Sequence, residues 1–206
     1  MGERKLDRSL YIRTSGIREW NDGTVHYNRY EATPYTALEK LFQTYKLNEG
    51  DELVDFGCGR GRVAFYIHNR FQVPVTGVEA NCDTYGEAIK NKRGYMMKTK
   101  HIKAPIRFEY GTAESYEIKE EENRFYFFNP FSIKVFRQVV NNILDSLEKQ
   151  PRSIDLIIYY PTSQYKQFLQ KDTPFELTNR VKISGVKDKR EKFLIYRFFD
   201  RDEDYA

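Results

Sequence analysis

Residues 53–61 read Leu-Val-Asp-Phe-Gly-Cys-Gly-Arg-Gly, so Gly57, Gly59 and Gly61 follow directly on a short apolar run. Glycine reaches left-handed dihedrals at little steric cost and lets a group approach the backbone where a Cβ would otherwise stand. Such a turn between a strand and a helix is the usual builder of a ligand site at the carboxyl edge of a parallel sheet. A phosphate-binding loop needs Gly-Lys-Ser/Thr after its first glycine, and that is absent here. The dinucleotide fingerprint is G-x-G-x-x-G, whereas this chain has G-x-G-x-G with Asp55 two positions before the first glycine. A purely structural role for the turn, as tight packing, stays open at this point. The two cysteines, Cys58 and Cys82, have neither disulfide-framework nor metal-ligand spacing, which predicts free thiols and no metal. No histidine stands near Cys58 in sequence, so it is given no catalytic role.

The elements that must position this turn are legible in the pattern. Before it, Thr33 is a candidate cap and Pro34 suits a first helical turn, with Leu38, Leu41, Phe42 and Tyr45 on one face. "ELVDF" reads as a strand and "RVAFYIHNRF" as a helix with Val63, Ile67 and Phe71 on one side. "VPVTGVEA" is a second strand, and the following helix is expected to break or fray near Gly94. "IRFEYG", "RFYFFN" and "SIDLIIYY" supply three more strands. Between the last two, Ile133, Phe136, Val140, Ile143, Leu144 and Leu147 keep the three-four spacing of a buried helix face. "FELTNRVKI" and "KFLIYRFF" close the chain without an intervening helix, which predicts a hairpin. Alternation of strands and helices predicts an α/β fold: a mostly parallel, Rossmann-like seven-stranded sheet, helices on both faces, and a C-terminal antiparallel hairpin. Residues 1–33 read as an N-terminal extension and 34–206 as one domain.

The D-x-G-x-G-x-G pattern at 55–61 resembles the first motif of the class I, seven-strand S-adenosylmethionine-dependent methyltransferases. The resemblance continues at Glu79 in "GVEA", about twenty residues on in the same βαβ unit. It implies S-adenosylmethionine as cofactor, held along Asp55, Phe56, Gly57, Cys58, Gly59 and Gly61. Glu79 would take the ribose hydroxyls, because an ionised carboxylate accepts two strong hydrogen bonds, and Ala80 would lie beside it. It also implies that the loop with Thr112, Ala113 and Glu114 flanks the adenine, and that Asn129, at the end of the fourth strand, faces the methyl donor and acceptor. The "NPF" of Asn129, Pro130 and Phe131 resembles the N-P-P-aromatic motif of methyltransferases acting on exocyclic amines or glutamine amides. It departs from that motif, since Phe131 replaces the second proline and Ser132 stands at the aromatic position. Read from the residues alone, Asn129 and Pro130 equally describe a strand-ending turn with Ser132 as helix cap. "NRYEATPYTALEKLF" looks like the lead-in of seven-strand protein-lysine methyltransferases, which makes Tyr30 and Tyr35 acceptor-channel candidates. A helix that merely covers the sheet remains the alternative.

Size and composition limit the functional classes. The chain has 206 residues, 40% hydrophobic and 31% charged, as expected of a single globular domain. No apolar run approaches the roughly 20 residues of a membrane span, and "MGERKLDRSLYIRTSGIREW" lacks the apolar core of a signal peptide. A cytoplasmic protein without membrane partners is expected. The net charge is +4, and one basic cluster stands out at 90–107, readable as an RNA-facing patch or as a solvated helix face. The leading expectation is methylation of a nitrogen of a macromolecule, protein lysine or RNA. A small-molecule methyltransferase, or a non-catalytic cofactor-binding or RNA-associated module of the same fold, are the alternatives.

Overall fold

Two periodicities organise the chain. In the computed structural model, which describes residues 2–17 and 26–200, they become α1 (Glu3–Ser9), α2 (Tyr35–Leu41), β1 (Glu52–Phe56), α3 (Arg62–Phe71), β2 (Val75–Glu79), α4 (Cys82–Lys98), β3 (Ile106–Tyr110), β4 (Glu122–Phe128), α5 (Ile133–Lys149), β5 (Ile154–Tyr159), α6 (Ser163–Asp172), β6 (Glu176–Lys182) and β7 (Lys192–Phe198). The strands form one sheet in the order β3-β2-β1-β4-β5-β7-β6. Pairing is parallel from β3 through β5 and antiparallel for β5–β7 and β6–β7. The expected sheet and terminal hairpin are therefore present, with the last strand inserted between β5 and β6.

Side chains that alternate along each strand feed two separate cores. On one face Leu53, Val75, Phe108, Tyr126 and Ile157 pack with α2, α3 and α4. On the other, Val54, Phe56, Val78, Phe127 and Ile158 pack with α5 and α6. Burying one such Phe, Ile or Leu contributes roughly 1.5–3 kcal/mol. Because the helix side changes between β1 and β4, the strand order reverses there. The carboxyl ends of these neighbouring strands then open a crevice at the switch point.

Four local expectations need correction. α4 is continuous through Gly94. A Cβ at that glycine would lie 2.6 Å from the carbonyl oxygen of Tyr11, so the residue admits a close backbone neighbour and does not break the helix. Thr33 does not cap α2; its hydroxyl bonds that of Tyr126 at 2.8 Å. Ser132 occupies the N-cap position of α5 without a capping bond, because its hydroxyl lies 3.3 Å from His26 Nδ1. The buried face of α5 includes Val135 and Val139, while Ile133, Leu144 and Leu147 sit at its margin.

The first seventeen residues, which carry no sustained period, nevertheless hold α1, anchored by charge. Asp7 accepts from Thr14 N–H at 2.7 Å, from the Thr14 hydroxyl at 2.7 Å and from the Tyr35 hydroxyl at 2.8 Å. Arg62 of α3 is only 4% exposed; it donates to the Thr14 hydroxyl at 2.7 Å and the Thr33 carbonyl at 3.2 Å, and pairs with Glu3. Residues 18–25 of the expected extension, and 201–206 of the expected domain, lie outside the described residues. Among the described residues no helix is long and apolar enough to cross a membrane.

Candidate functional site

The crevice is built from the residues that end β1, β2 and β4. Beyond Phe56 the chain turns through Gly57, Gly59 and Gly61, all at positive φ, before α3 starts. The glycines admit this chain's own side chains. At Gly59, with φ +57°, a Cβ would stand 2.1 Å from the Tyr30 ring; at Gly57 it would stand 2.5 Å from the Pro130 Cβ. The Tyr30 ring is fixed in turn by its hydroxyl, which donates to the Thr14 carbonyl at 2.6 Å, and by the Arg60 guanidinium 4.9 Å from its centroid.

Glu79 closes the floor. Its carboxylate is 6% exposed and accepts from Gly59 N–H and Asn81 N–H, each at 2.8 Å. Desolvation raises its pKa, while these N–H groups oppose the rise by stabilising the ion. Asp55, behind the turn, is pushed up to about 8, first by burial and then by the charge of Glu79. Its Oδ2 is buried without a hydrogen-bond partner. Burial also raises the pKa of the Cys58 thiol, which is free, as is exposed Cys82.

A segment from His26 to Glu31 straps the crevice. Ser132 N–H donates to the His26 carbonyl at 2.7 Å, and Asn28 N–H to the Pro130 carbonyl at 2.9 Å. The Tyr27 hydroxyl donates to Glu114 Oε2 at 2.6 Å and accepts from Ala113 N–H at 3.2 Å. Its pKa is raised, first by burial and then by that Glu114 bond, which keeps the hydroxyl a donor at neutral pH. Under the strap lies a cleft of about 160 Å³, walled by Gly57, Glu79, Ala80, Asn81 and Thr112. Beside it a wider cleft of about 820 Å³ opens over Phe128 and Asn129 toward Tyr159, Tyr160, Asp188 and Glu191. Tyr27, Asn28, Arg29, Glu31 and Phe128 line both.

The structure thus gathers Gly57, Gly59, Glu79, Ala80, Thr112, Ala113, Glu114, Asn129, Pro130 and Tyr30 about one crevice. Asp55, Cys58 and Gly61 lie behind its wall, where a Cβ at Gly61 would meet Phe108 and Phe65. Phe56 and Phe131 are buried in the core of α5, the latter edge-on to Tyr27 at 5.8 Å between centroids. Tyr35 is 1% exposed, bonded to Asp7, and belongs to neither cleft. The lining residues missed from sequence include Tyr27, Glu31, Phe128, Tyr159, Tyr160, Asp188 and Glu191. The doubled tyrosine ending "SIDLIIYY" was the available signal for two of them.

Asn129 and Tyr160 both take positive φ, +41° and +54°. Asparagine tolerates this region, but a bulky tyrosine there is a true outlier, and such strain persists only where surrounding structure enforces it. The two residues follow directly on β4 and β5 and turn the chain at the lip of the wider cleft.

No protein-family model matches the chain, and no curated protein matches it. Solved structures share its fold at low identity. An RNA methyltransferase from Salinibacter ruber, in complex with S-adenosyl-L-homocysteine, has a TM-score of 0.57 at 16% identity, covering 83% of this chain and 94% of that one. A SAM-dependent methyltransferase from Methanosarcina mazei has a TM-score of 0.57 at 14% identity, covering 76% and 95%. An rRNA methylase from Streptococcus thermophilus has a TM-score of 0.52 at 14% identity, covering 78% and 93%. At these identities the likeness is one of fold.

Proposed function

We propose that this chain is an S-adenosylmethionine-dependent methyltransferase acting on a nitrogen of a macromolecule. One observation carries the reading: the Glu79 carboxylate and the Gly59 backbone meet at 2.8 Å, at the point where strand order reverses. That is where an open parallel sheet binds its ligand. The side chains present suit the cofactor. Glu79 is an ionisable acceptor on the floor for the ribose hydroxyls. Ala113 N–H and the Glu114 carboxylate, one donor and one acceptor, suit the edge of an adenine; in this structure Tyr27 engages both. When bound, S-adenosylmethionine supplies an electrophilic methyl on a sulfonium, and the electron pair of the broken C–S bond stays on sulfur. The chain's contribution is alignment and exclusion of water. Tyr30 and the strap cover the turn, and Asn129, which lines the cleft lip, would accept a hydrogen bond from the acceptor nitrogen.

Calorimetric titration of the full chain with S-adenosylmethionine tests this. A saturable isotherm is expected. Glu79→Ala should weaken it by about 1.5–3 kcal/mol, the range for hydrogen bonds to a charged group. Gly59→Val should abolish it, because a β-branched side chain there resists the dihedral and displaces Tyr30. Unchanged affinity in both variants overturns the assignment.

A further inference from the structure

The wider cleft differs chemically from the rest of the surface. The protein is net basic, yet three carboxylates, Glu31, Asp188 and Glu191, line this cleft with Arg29, and at its edge Arg190 pairs with Asp188 at 2.8 Å, which leaves Glu191 without a cationic partner among the lining residues. Arg29 is already paired with Glu31 at 3.5 Å. The floor is aromatic. Phe128 lies 4.8 Å from Tyr159 and 6.2 Å from Tyr160 between centroids, with Phe128 and Tyr160 half-buried and lining the cleft. Tyr160 is held in its strained conformation by its hydroxyl, which donates to Asp188 at 2.5 Å, and by Arg190 stacked 4.6 Å from its ring. Tyr159 donates to Glu191 at 3.3 Å. Asp188 and Glu191 are therefore each held by a phenol, and Glu31 by Arg29.

We propose that this cleft is a recognition site for an alkylammonium, the side chain of a lysine in a protein acceptor, seated on the Phe128 and Tyr160 rings and countered by Glu31 and Glu191. The inference rests on the methyltransferase reading for its consequence, and on the cleft alone for its binding chemistry. Rings and carboxylates together attract a cation: the ring quadrupole presents its negative face and the carboxylates supply the charge. The same walls repel a phosphate backbone, whose binding depends on Lys and Arg. The basic residues that would suit RNA lie elsewhere. Arg93, Lys98, Lys100, Lys103 and Arg107 are exposed on and after α4, which packs on β2 and β3 at the opposite end of the sheet from the β5–β7 side of the cleft. For transfer, the ammonium first gives its proton to water. Its lone pair then forms the N–C bond as the methyl's bond to sulfur breaks, and the positive charge passes from sulfur to nitrogen.

Binding separates this site from the cofactor site. Nuclear magnetic resonance titration of the full chain uses Nα-acetyl-lysine methylamide, Nα-acetyl-norleucine methylamide, which keeps the four-carbon stem and lacks the ammonium, and a single-stranded oligoribonucleotide, with S-adenosylhomocysteine titrated in parallel. The lysine probe is expected to bind at least about tenfold more tightly than the norleucine probe, the scale of one cation–π contact. Glu191→Gln and Tyr160→Gly should each remove most of that preference. Tyr160→Gly relaxes the strained φ as it deletes the ring, so loss of folding does not obscure the result, and Glu191→Gln keeps the shape. Equal binding of both amide probes overturns the proposal, as does oligoribonucleotide binding that perturbs Phe128 and Tyr160. Failure of S-adenosylhomocysteine to bind while the lysine preference persists supports this site and sinks only the methyltransferase reading.

Discussion

The two sides of the crevice are built on opposite principles. The glycine side, from β1 to β3 with the N-terminal residues, is a closed polar lattice: Asp7, Arg62, Thr14, Glu79 and Asn91 are buried and bonded. The cleft side, at the ends of β4 and β5 with the β6–β7 turn, is open, with its charges in exposed pairs such as Arg190–Asp188 and Arg29–Glu31. A buried, satisfied lattice holds one geometry and fails if any member is lost. Exposed pairs contribute little and re-form readily. Under the proposed function the closed side would fix the cofactor and the open side would meet the acceptor, and the difference can be broken in measurable ways.

The largest expected effect is on Arg62. Arg62→Met leaves Asp7 and Glu3 without their cation and should cost about 3 kcal/mol or more of stability, the scale for breaking a buried pair. Arg190→Met, the matching change on the cleft side, should leave the melting temperature unmoved. Chemical denaturation of both variants decides it. An Arg62 variant as stable as the parent would show that the lattice is not what fixes the glycine side.

The next effect sharpens the picture by pH. Asp55, buried behind the same turn, stands outside this satisfied lattice with an unbonded oxygen, and its folded pKa, about 8, lies above the ordinary carboxylate value near 3.9. Between those values the folded chain keeps a proton that the unfolded chain has lost, so stability falls as pH rises through the window. Asp55→Asn removes this dependence. Relative to the variant, the parent should lose roughly 2 kcal/mol between about pH 6 and about pH 8, at the linkage slope of a fully shifted group. Parallel melting profiles would mean that Asp55 ionises freely in the fold.

The same division explains what the sequence made legible. β1, the glycine turn, α3 at 62–71 and Glu79 follow from local grammar, where period and turn chemistry act within one βαβ unit. Gly94 reads as a helix breaker because its partner, the Tyr11 carbonyl, lies 83 residues earlier in the chain. Thr33 and Ser132 have the side chains of caps, but Tyr126 and His26 engage them first. Tyr159 ends β5 beside Phe128 and Tyr160 follows it, but Asp188 and Glu191 reach them only because β7 inserts beside β5. No local pattern encodes that pairing. Tyr27 lies in a stretch without period, so only the folded chain reveals which loop it straps.

The smallest effect tests the strap that joins the two sides. The Tyr27 hydroxyl holds Ala113 N–H and Glu114, the donor and acceptor proposed for the adenine edge. Tyr27→Phe deletes both bonds and keeps the edge-on packing against Phe131. If strap and cofactor compete for the same two groups, the variant should bind S-adenosylmethionine more tightly. One bond to a charged group contributes about 1.5 kcal/mol at the low end of its range, the end that suits a half-buried pair, so the gain should be roughly tenfold. The ligand-free variant should melt slightly lower than the parent, because the strap has lost its anchor. Were Tyr27 instead part of the wall that holds the cofactor, deletion would weaken binding. The sign of the change in a calorimetric titration therefore separates a strap that must lift from one that stays closed, and a lower affinity in Tyr27→Phe rules out competition.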